Sequence, residues 1–395
     1  MRKGLAIVAC VFAFGAGVVA WRVSPGDLHR PVWHTPTGDP VDPSGLERAL
    51  DLPFVGVVAG DRLIVSVRRE TYDTSTATFD TEPATLGILD LSTGTGVLYP
   101  PLEHEVYFTI GFLLHEDGRV AWAYNTDTYD IVEVVTGPDG WARQQVLATG
   151  DNPGPMLLGG AWTDEGTEWV IHRRWGAKDL LIARPGREDR TWAAGTFGPA
   201  EPDAPLGAYQ RDGAWHVATP RDPLHFFTEA GPTTIQHVRL GPTAEIVDTQ
   251  IVDRAPRGLD VDLTERGQAG AIANSYQLAR LADGEVRALD VPSWSTYLNG
   301  GVYRGGPSGL EVALRATAPE GSGFGLVYGI DDRWLGVRTN GAAVELVDVA
   351  ADDEVVAQAP VPYGLDVDYR TALLPWRDGV IVLNDDLSWV PFPTL

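Results

Sequence analysis

Cysteine and lysine are almost missing from this chain. Cys10 is the only thiol, so there is no intramolecular disulfide and no cysteine-based metal centre, and stability has to come from burial. Lys3 and Lys178 are the only lysines, and no glycine-rich loop runs into Lys-Ser or Lys-Thr, which excludes a P-loop. A His-Glu-x-x-His zinc helix and a Gly-x-Ser-x-Gly elbow are also absent; Gly306-Pro307-Ser308-Gly309-Leu310 lacks the final glycine. Positive charge is scarce as well, with 30 basic against 54 acidic residues and a net charge of -24. Such a surface repels phosphate backbones and anionic lipid, which argues against nucleic acid as a partner and leaves membrane contact to the N-terminal segment alone. Sustained helical periodicity is missing beyond residue 21.

The N-terminus combines a short positive stretch, Met1-Arg2-Lys3, with an uncharged apolar run from Gly4 to Ala20 and small residues at Val18-Val19-Ala20. This is the pattern of an export signal, so the chain is expected to be periplasmic, secreted or held on the outer face of a membrane. The run through Trp21 is also near the length that spans a bilayer, so residues 1–21 read as a signal peptide or as an anchor. Residues 22–51, with Pro25, Pro31, Pro36, Pro40 and Pro43, read as an extended linker carrying one short strand at Val32-Trp33-His34.

From residue 52 onward, runs of four to eight apolar and β-branched residues alternate with turn signals. Seven of these signals recur at intervals of about 47 to about 64 residues, against roughly 40 to 50 for common propeller repeats. They are Gly60-Asp61, Asp117-Gly118, Asp164-Glu165-Gly166, Asp212-Gly213, Arg266-Gly267, Asp331-Asp332 and Asp378-Gly379. Each reads as one tight hairpin per repeat, because Asp-Gly and its relatives supply the positive φ that such turns need. Four strands fit each repeat. In the second they are Tyr107 to Leu114, Arg119 to Tyr124, Asp130 to Thr136 and Trp141 to Ala148; in the third, Met156 to Trp162, Glu168 to Arg173, Asp179 to Arg184 and Thr191 to Gly195. The first repeat is stretched by the Thr-rich insertion Thr71 to Ala84, and the fourth and sixth carry extra residues around Gly231 to Gly241 and Leu298 to Gly323.

The expected fold is therefore an all-β propeller over residues 52–395 with seven four-stranded blades; six and eight remain as alternatives, since Leu298 to Gly323 has the length of an eroded blade. The last repeat has only three strands, Leu373 to Trp376, Val380 to Leu383 and Leu387 to Pro391. Val32-Trp33-His34 is expected to supply its fourth strand and close the ring without an exposed edge. An internal echo supports the register: Gly258-Leu259-Asp260-Val261-Asp262 returns as Gly364-Leu365-Asp366-Val367-Asp368, about two repeats later.

Glu116-Asp117-Gly118-Arg119-Val120-Ala121-Trp122, followed by Tyr129-Asp130-Ile131-Val132-Glu133 and Gly137-Pro138-Asp139-Gly140, resembles the repeat of TolB-type propellers. Asp332-Arg333-Trp334-Leu335-Gly336 with Val344-Glu345-Leu346-Val347-Asp348 is similar to the same unit. The two GLDVD segments, with Pro256 and Pro362 upstream, look more like the opening of NHL-type repeats. Asp164-Glu165-Gly166-Thr167-Glu168-Trp169 partly resembles the Asp-box of sialidase-like propellers but has Trp162 where a Ser or Thr belongs. These likenesses imply a propeller and leave its activity open, because the fold hosts unrelated functions.

Chemistry-bearing residues are sparse. Asp260, Asp262, Asp366, Asp368, Asp385 and Asp386 offer hard oxygens of the kind calcium takes, but alternating Asp on a strand also describes a solvated face, and the twelve-residue calcium loop is absent. No cofactor is expected, and the eight histidines show no zinc spacing. In a propeller, the loops between second and third strands share one channel rim with the loops that join blades. That rim receives Tyr72, Asn125, Tyr129, Arg173, Arg174, Trp175, Arg221, Tyr276, Trp294 and Asp385. From these, Tyr129, Arg173, Arg174, Trp175, Arg221, Tyr276 and Trp294 are the candidate ligand-binding residues, of the Arg and aromatic types that dominate binding hot spots. The expected function is binding of a protein or cell-envelope ligand at this rim. The alternative is a propeller hydrolase or lyase acting on sugars or lactones with carboxylates in the channel.

Overall fold

A computed structural model describes residues 31–43, 46–48, 56–73, 78–81, 83–150, 154–173, 179–192, 207–220, 233–252, 276–280, 286–290, 302–304, 311–313, 327–330, 333–339, 343–348, 354–360, 372–376, 379–383 and 387–391. Its regular structure is antiparallel sheet built strand by strand in chain order. The first blade contains Gly56–Ala59, Arg62–Asp73, Thr85–Asp90 and Thr95–Leu98; the second, Val106–Leu114, Val120–Thr126, Ile131–Thr136 and Trp141–Ala148. The third contains Met156–Thr163, Gly166–His172, Leu180–Ala183 and Arg190–Trp192; the fourth, Gly207–Arg211, Ala214–Pro220, Thr233–Leu240 and Glu245–Val252. Two hairpins follow, Tyr276–Arg280 with Val286–Asp290 and Val302–Arg304 with Glu311–Ala313. A further four-stranded sheet spans Val327–Ile330, Arg333–Thr339, Ala343–Asp348 and Glu354–Pro360, and a last three-stranded one spans Ala372–Trp376, Gly379–Leu383 and Leu387–Pro391. Repeated meanders stacked face to face, with their first strands against one another, make this a β-propeller. The two hairpins occupy the stretch where the sequence allowed either one blade or two.

Six of the seven hairpin signals fall between first and second strands, as their chemistry requires; Arg266-Gly267 lies outside the described residues. Asp212 and Gly213 both take positive φ, 50° and 73°, the geometry of the two-residue turn whose twist matches the strands it joins. The two middle strands are the most buried: every residue of Val120–Thr126 and of Ile131–Thr136 is buried, with Trp122 and Tyr124 at zero exposure. The Thr-rich insertion continues the long strand Arg62–Asp73 into an outer hairpin with Thr78–Thr81. The fourth repeat corrects one expectation, since Thr233–Leu240 is its third strand rather than part of an insertion.

Apolar cores lie between successive blades rather than inside any one of them. With no disulfide to hold blade to blade, tryptophan indoles and buried charge do so. Trp169 Nε1 donates to Glu133 Oε1 of the preceding blade at 2.7 Å, and Trp215 Nε1 donates to Glu168 Oε2 at 2.8 Å. Trp141 and Trp192 donate to the Pro100 and Gly241 carbonyls, both at 3.0 Å. Glu133 has no exposed surface in its side chain and accepts two further bonds from Arg143 of its own blade, at 2.9 and 2.7 Å, whose guanidinium also donates to Thr167 Oγ1 at 2.7 Å. A buried carboxylate so surrounded is compensated, and a strong constraint on how the two blades meet. Where first strands meet, Gly159 removes the side chain that would collide: a Cβ there would lie 2.2 Å from the Ala208 carbonyl oxygen.

The closing strand departs from expectation. Val32–His34 does form a strand, but it pairs in parallel with Thr95–Leu98 on the outer edge of the first blade, not with the last sheet. Trp33 decides this. It lies opposite Gly96, and its indole fills a slot that two missing side chains create: a Cβ on Gly96 would lie 2.5 Å from Trp33 Cζ3, and one on Gly87 2.8 Å from Cη2. The Val32 amide donates to the Gly94 carbonyl at 3.0 Å, and the chain folds back so that the Val41 amide donates to the Trp33 carbonyl at 2.9 Å. The last sheet meets the first blade through side chains: Trp376 Nε1 donates to Asp61 Oδ1 at 3.0 Å, and Trp376, Ile381 and Trp389 join the same core as Trp33 and Leu63.

Candidate functional site

The loop between the second and third strands of the second blade is a five-residue turn, Thr126 to Asp130. Its ends meet through Thr126 N–H to the Asp130 carbonyl at 2.9 Å, and Tyr129 N–H reaches the Thr126 carbonyl at 3.0 Å. Side chains complete it: Thr126 Oγ1 accepts from the Asp130 amide at 3.1 Å and lies 2.8 Å from Thr128 Oγ1, which donates to Asp130 Oδ2 at 3.3 Å. The turn Thr35 to Asp39 repeats this network bond for bond. Thr35 N–H meets the Asp39 carbonyl at 2.8 Å, Gly38 N–H meets the Thr35 carbonyl at 2.9 Å, and Thr35, Thr37 and Asp39 make the same side-chain chain.

The two turns differ at their fourth residue. Gly38 has φ 92°, and Tyr129 has φ 65°. Glycine adopts that conformation freely, whereas a tyrosine there costs about 1–2 kcal/mol from the approach of Cβ to the backbone. The neighbourhood holds it in place. Asn125, buried beneath the turn, donates from Nδ2 to the Tyr129 carbonyl at 3.4 Å. The loop joining this blade to the next comes over the top, where the Gly150 amide donates to Asp130 Oδ1 at 3.3 Å and a Cβ on Gly154 would meet Tyr129 Cβ at 2.7 Å. These contacts put blade-joining and second-to-third-strand loops on one face.

Arg173 holds the equivalent loop of the third blade. It is exposed, and its amide donates to the Asp179 carbonyl at 2.9 Å, closing the loop. Tyr129 and Arg173 thus lie on matching loops of adjacent blades, Arg173 being by its closing bond the counterpart of Thr126. Arg174, Trp175, Arg221 and Trp294 lie outside the described residues, as do Asp385, Asp386 and the aspartates of both GLDVD segments. Tyr276 opens the strand Tyr276–Arg280, opposite Asp290. Tyr72 lies on the extended hairpin opposite Phe79. Among the described residues, no group of three or more His, Cys, Asp or Glu side chains is placed to hold a metal ion.

Two clusters escaped the sequence reading. On one face of the fourth blade, the Tyr209 ring stacks on His216 at 5.2 Å and 12°, and its hydroxyl meets His237 Nδ1 at 2.9 Å. Burial pushes the His216 imidazole below its ordinary range, with Arg211 adding to the effect. The second cluster lies on the opposite face of the propeller, at the first hairpin of the second blade, where His115 and Arg119 both pack on Trp162. Alternation along each strand foreshadowed neither, because each cluster unites residues from separate strands.

No protein-family model matches the chain, and no curated protein matches it significantly. Solved structures do share its architecture at low similarity. The β-propeller domain of the Trilobed protease from Pyrococcus furiosus is 11% identical, with a TM-score of 0.42 over 84% of this chain and 91% of that one. A puromycin-hydrolyzing peptidase from Mycobacterium tuberculosis is 14% identical, with a TM-score of 0.43 over 91% of this chain and 54% of that one. BamB from Moraxella catarrhalis is 12% identical, with a TM-score of 0.36 over 87% of this chain and 97% of that one.

Proposed function

We propose that this chain is an exported, non-catalytic β-propeller that binds a protein or cell-envelope ligand through the loop rim carrying Tyr129 and Arg173. The observation that supports this reading is Tyr129 itself. A turn built bond for bond like its twin keeps an aromatic residue where the twin uses glycine, and strain of that kind is retained where the side chain serves a purpose. Arg173, on the matching loop of the next blade, adds an exposed guanidinium to an otherwise acidic protein, and Arg174, Trp175, Arg221, Tyr276 and Trp294 extend the same surface in this reading. Among the described residues, two carboxylates set between blades serve the structure: Glu133 accepts from Arg143 and Trp169, and Glu168 accepts from Arg187 and Trp215. Export rests on Arg2-Lys3 and the apolar run to Ala20, and the repeat at Glu116 to Trp122 favours the TolB-type among propellers.

The test is capture from solubilised envelope by the full chain and by a triple Ala variant at Arg173, Arg174 and Trp175. The variant should fold normally and lose about 2 kcal/mol of binding, roughly thirtyfold in affinity. Undiminished capture would remove the rim from consideration.

A further inference from the structure

The hairpin His115 to Arg119, on the face opposite the Tyr129 rim, carries a donor set that the binding reading does not use. The turn closes through His115 N–H to the Arg119 carbonyl at 2.8 Å and Gly118 N–H to the His115 carbonyl at 2.9 Å. Asp117 sits at its centre and holds both flanking side chains. Arg119 Nε donates to Asp117 Oδ2 at 2.7 Å, the Arg119 amide donates to Oδ1 at 3.0 Å, and His115 Nδ1 lies 2.7 Å from Oδ1. With the Arg119 amide as the largest contribution, these bonds lower the Asp117 carboxyl to about 2, so it stays charged.

Trp162, from the first strand of the next blade, packs against both side chains from the other side. The Arg119 guanidinium lies 5.3 Å from the indole centroid, and the His115 ring lies 4.8 Å from it at a tilt of 56°. Behind the turn, Arg62 of the first blade reaches the Gly118 carbonyl with Nη1 at 3.4 Å and brings a second guanidinium close. Every inward-facing donor is therefore engaged. Among the described residues, none hydrogen-bonds to the two terminal nitrogens of Arg119 or to Nε2 of His115, and the two side chains are 47% and 31% exposed.

We propose that Arg119 and His115, held by Asp117 and Trp162, form a binding subsite for an oxyanion, a carboxylate or a phosphate. A guanidinium pinned through Nε and stacked on an indole has lost its rotamer freedom in advance and presents its terminal fork in the plane that a bidentate oxyanion needs. His115 Nε2 beside it donates to a carboxylate as imidazolium or accepts from a protonated phosphate. The chain carries a net charge of -24, so an anion gains nothing from the overall field, and recognition here is a matter of this geometry. The subsite lies on the other face from the proposed rim and stands or falls independently of it.

The full chain labelled with 5-fluorotryptophan reports on the subsite by fluorine NMR, with the Trp162 signal assigned by its loss in Trp162→Phe. Titration with N-acetylglycine as the carboxylate and with inorganic phosphate should move that signal saturably, the tighter probe identifying the source of the oxyanion. Arg119→Gln should weaken binding at least tenfold, Arg119→Lys should restore little because it lacks the fork, and Asp117→Asn should weaken it several-fold by releasing the pinned side chains. The remaining tryptophan signals report whether each variant is folded. Absence of a saturable shift up to tens of millimolar with either probe, or a shift unchanged in Arg119→Gln, would overturn the proposal.

Discussion

Replacing Glu133 by Ala is expected to destabilise the protein by about 3–5 kcal/mol, the loss seen when one member of a buried charge pair is removed. Three donors converge on this carboxylate, two from Arg143 and one from Trp169, and all three lose their acceptor at a point where the Glu133 side chain has no exposed surface. Because the donors belong to two blades, the effect reaches beyond one sheet. Denaturant titration of the variant measures the loss directly. Glu133→Gln, which keeps an acceptor and the shape, should lose less. Replacing Glu133 and Arg143 together by Leu and Met should recover much of the deficit, because the cost lies in the unpaired charge rather than in the absence of the pair. A loss below about 1 kcal/mol for Glu133→Ala would contradict the assignment of Glu133 as an inter-blade lock.

Trp33→Ala is the second large effect, with an expected cost of about 3–5 kcal/mol for emptying a buried indole site. Trp33 is 8% exposed and packs into the slot over Gly87 and Gly96. The strand it anchors has only three residues, so losing the indole should free the outer edge of the first blade and promote association. Gly96→Ala tests the same contact from below, since its Cβ would enter the indole ring. In the Trp33→Ala background the Gly96 substitution should become almost harmless, a coupling of the size expected for residues in contact. Additive losses would mean that the slot does not hold Trp33 in solution.

Local chemistry carried most of the architecture. Asp212-Gly213 and Asp117-Gly118 mark hairpins because few other dipeptides take the required φ, and the strands of the second and third blades lie within two residues of their expected bounds, Trp141–Ala148 coinciding with them, while the end expected at Gly195 lies outside the described residues. The partner of Val32–His34 was not legible. A sequence shows that a strand exists, but its pairing here depends on two glycines more than fifty residues away that together make room for one indole. The candidate rim was legible only as far as repeat register places loops on a common face. That placed Tyr129 and Arg173, yet nothing in Thr-Asp-Thr-Tyr-Asp announces that its tyrosine occupies a glycine's conformation until the turn is set beside Thr-Pro-Thr-Gly-Asp. The His115, Arg119 and Trp162 cluster joins two blades, and its ingredients, a common Asp-Gly turn and one of 13 tryptophans, look ordinary in the chain.

The central claim is that Tyr129 is kept at a structural cost because the rim needs it, and Tyr129→Gly separates the two halves of that claim in one protein. Thermal unfolding and envelope capture should be measured side by side for the wild type and the variant. The expected result is a variant at least as stable as the wild type, by up to about 1 kcal/mol as the left-handed strain is relieved, with capture reduced roughly tenfold or more. A variant that loses stability while capturing its partner undiminished would contradict the account, since Tyr129 would then be a packing residue of the loop and not part of a binding surface.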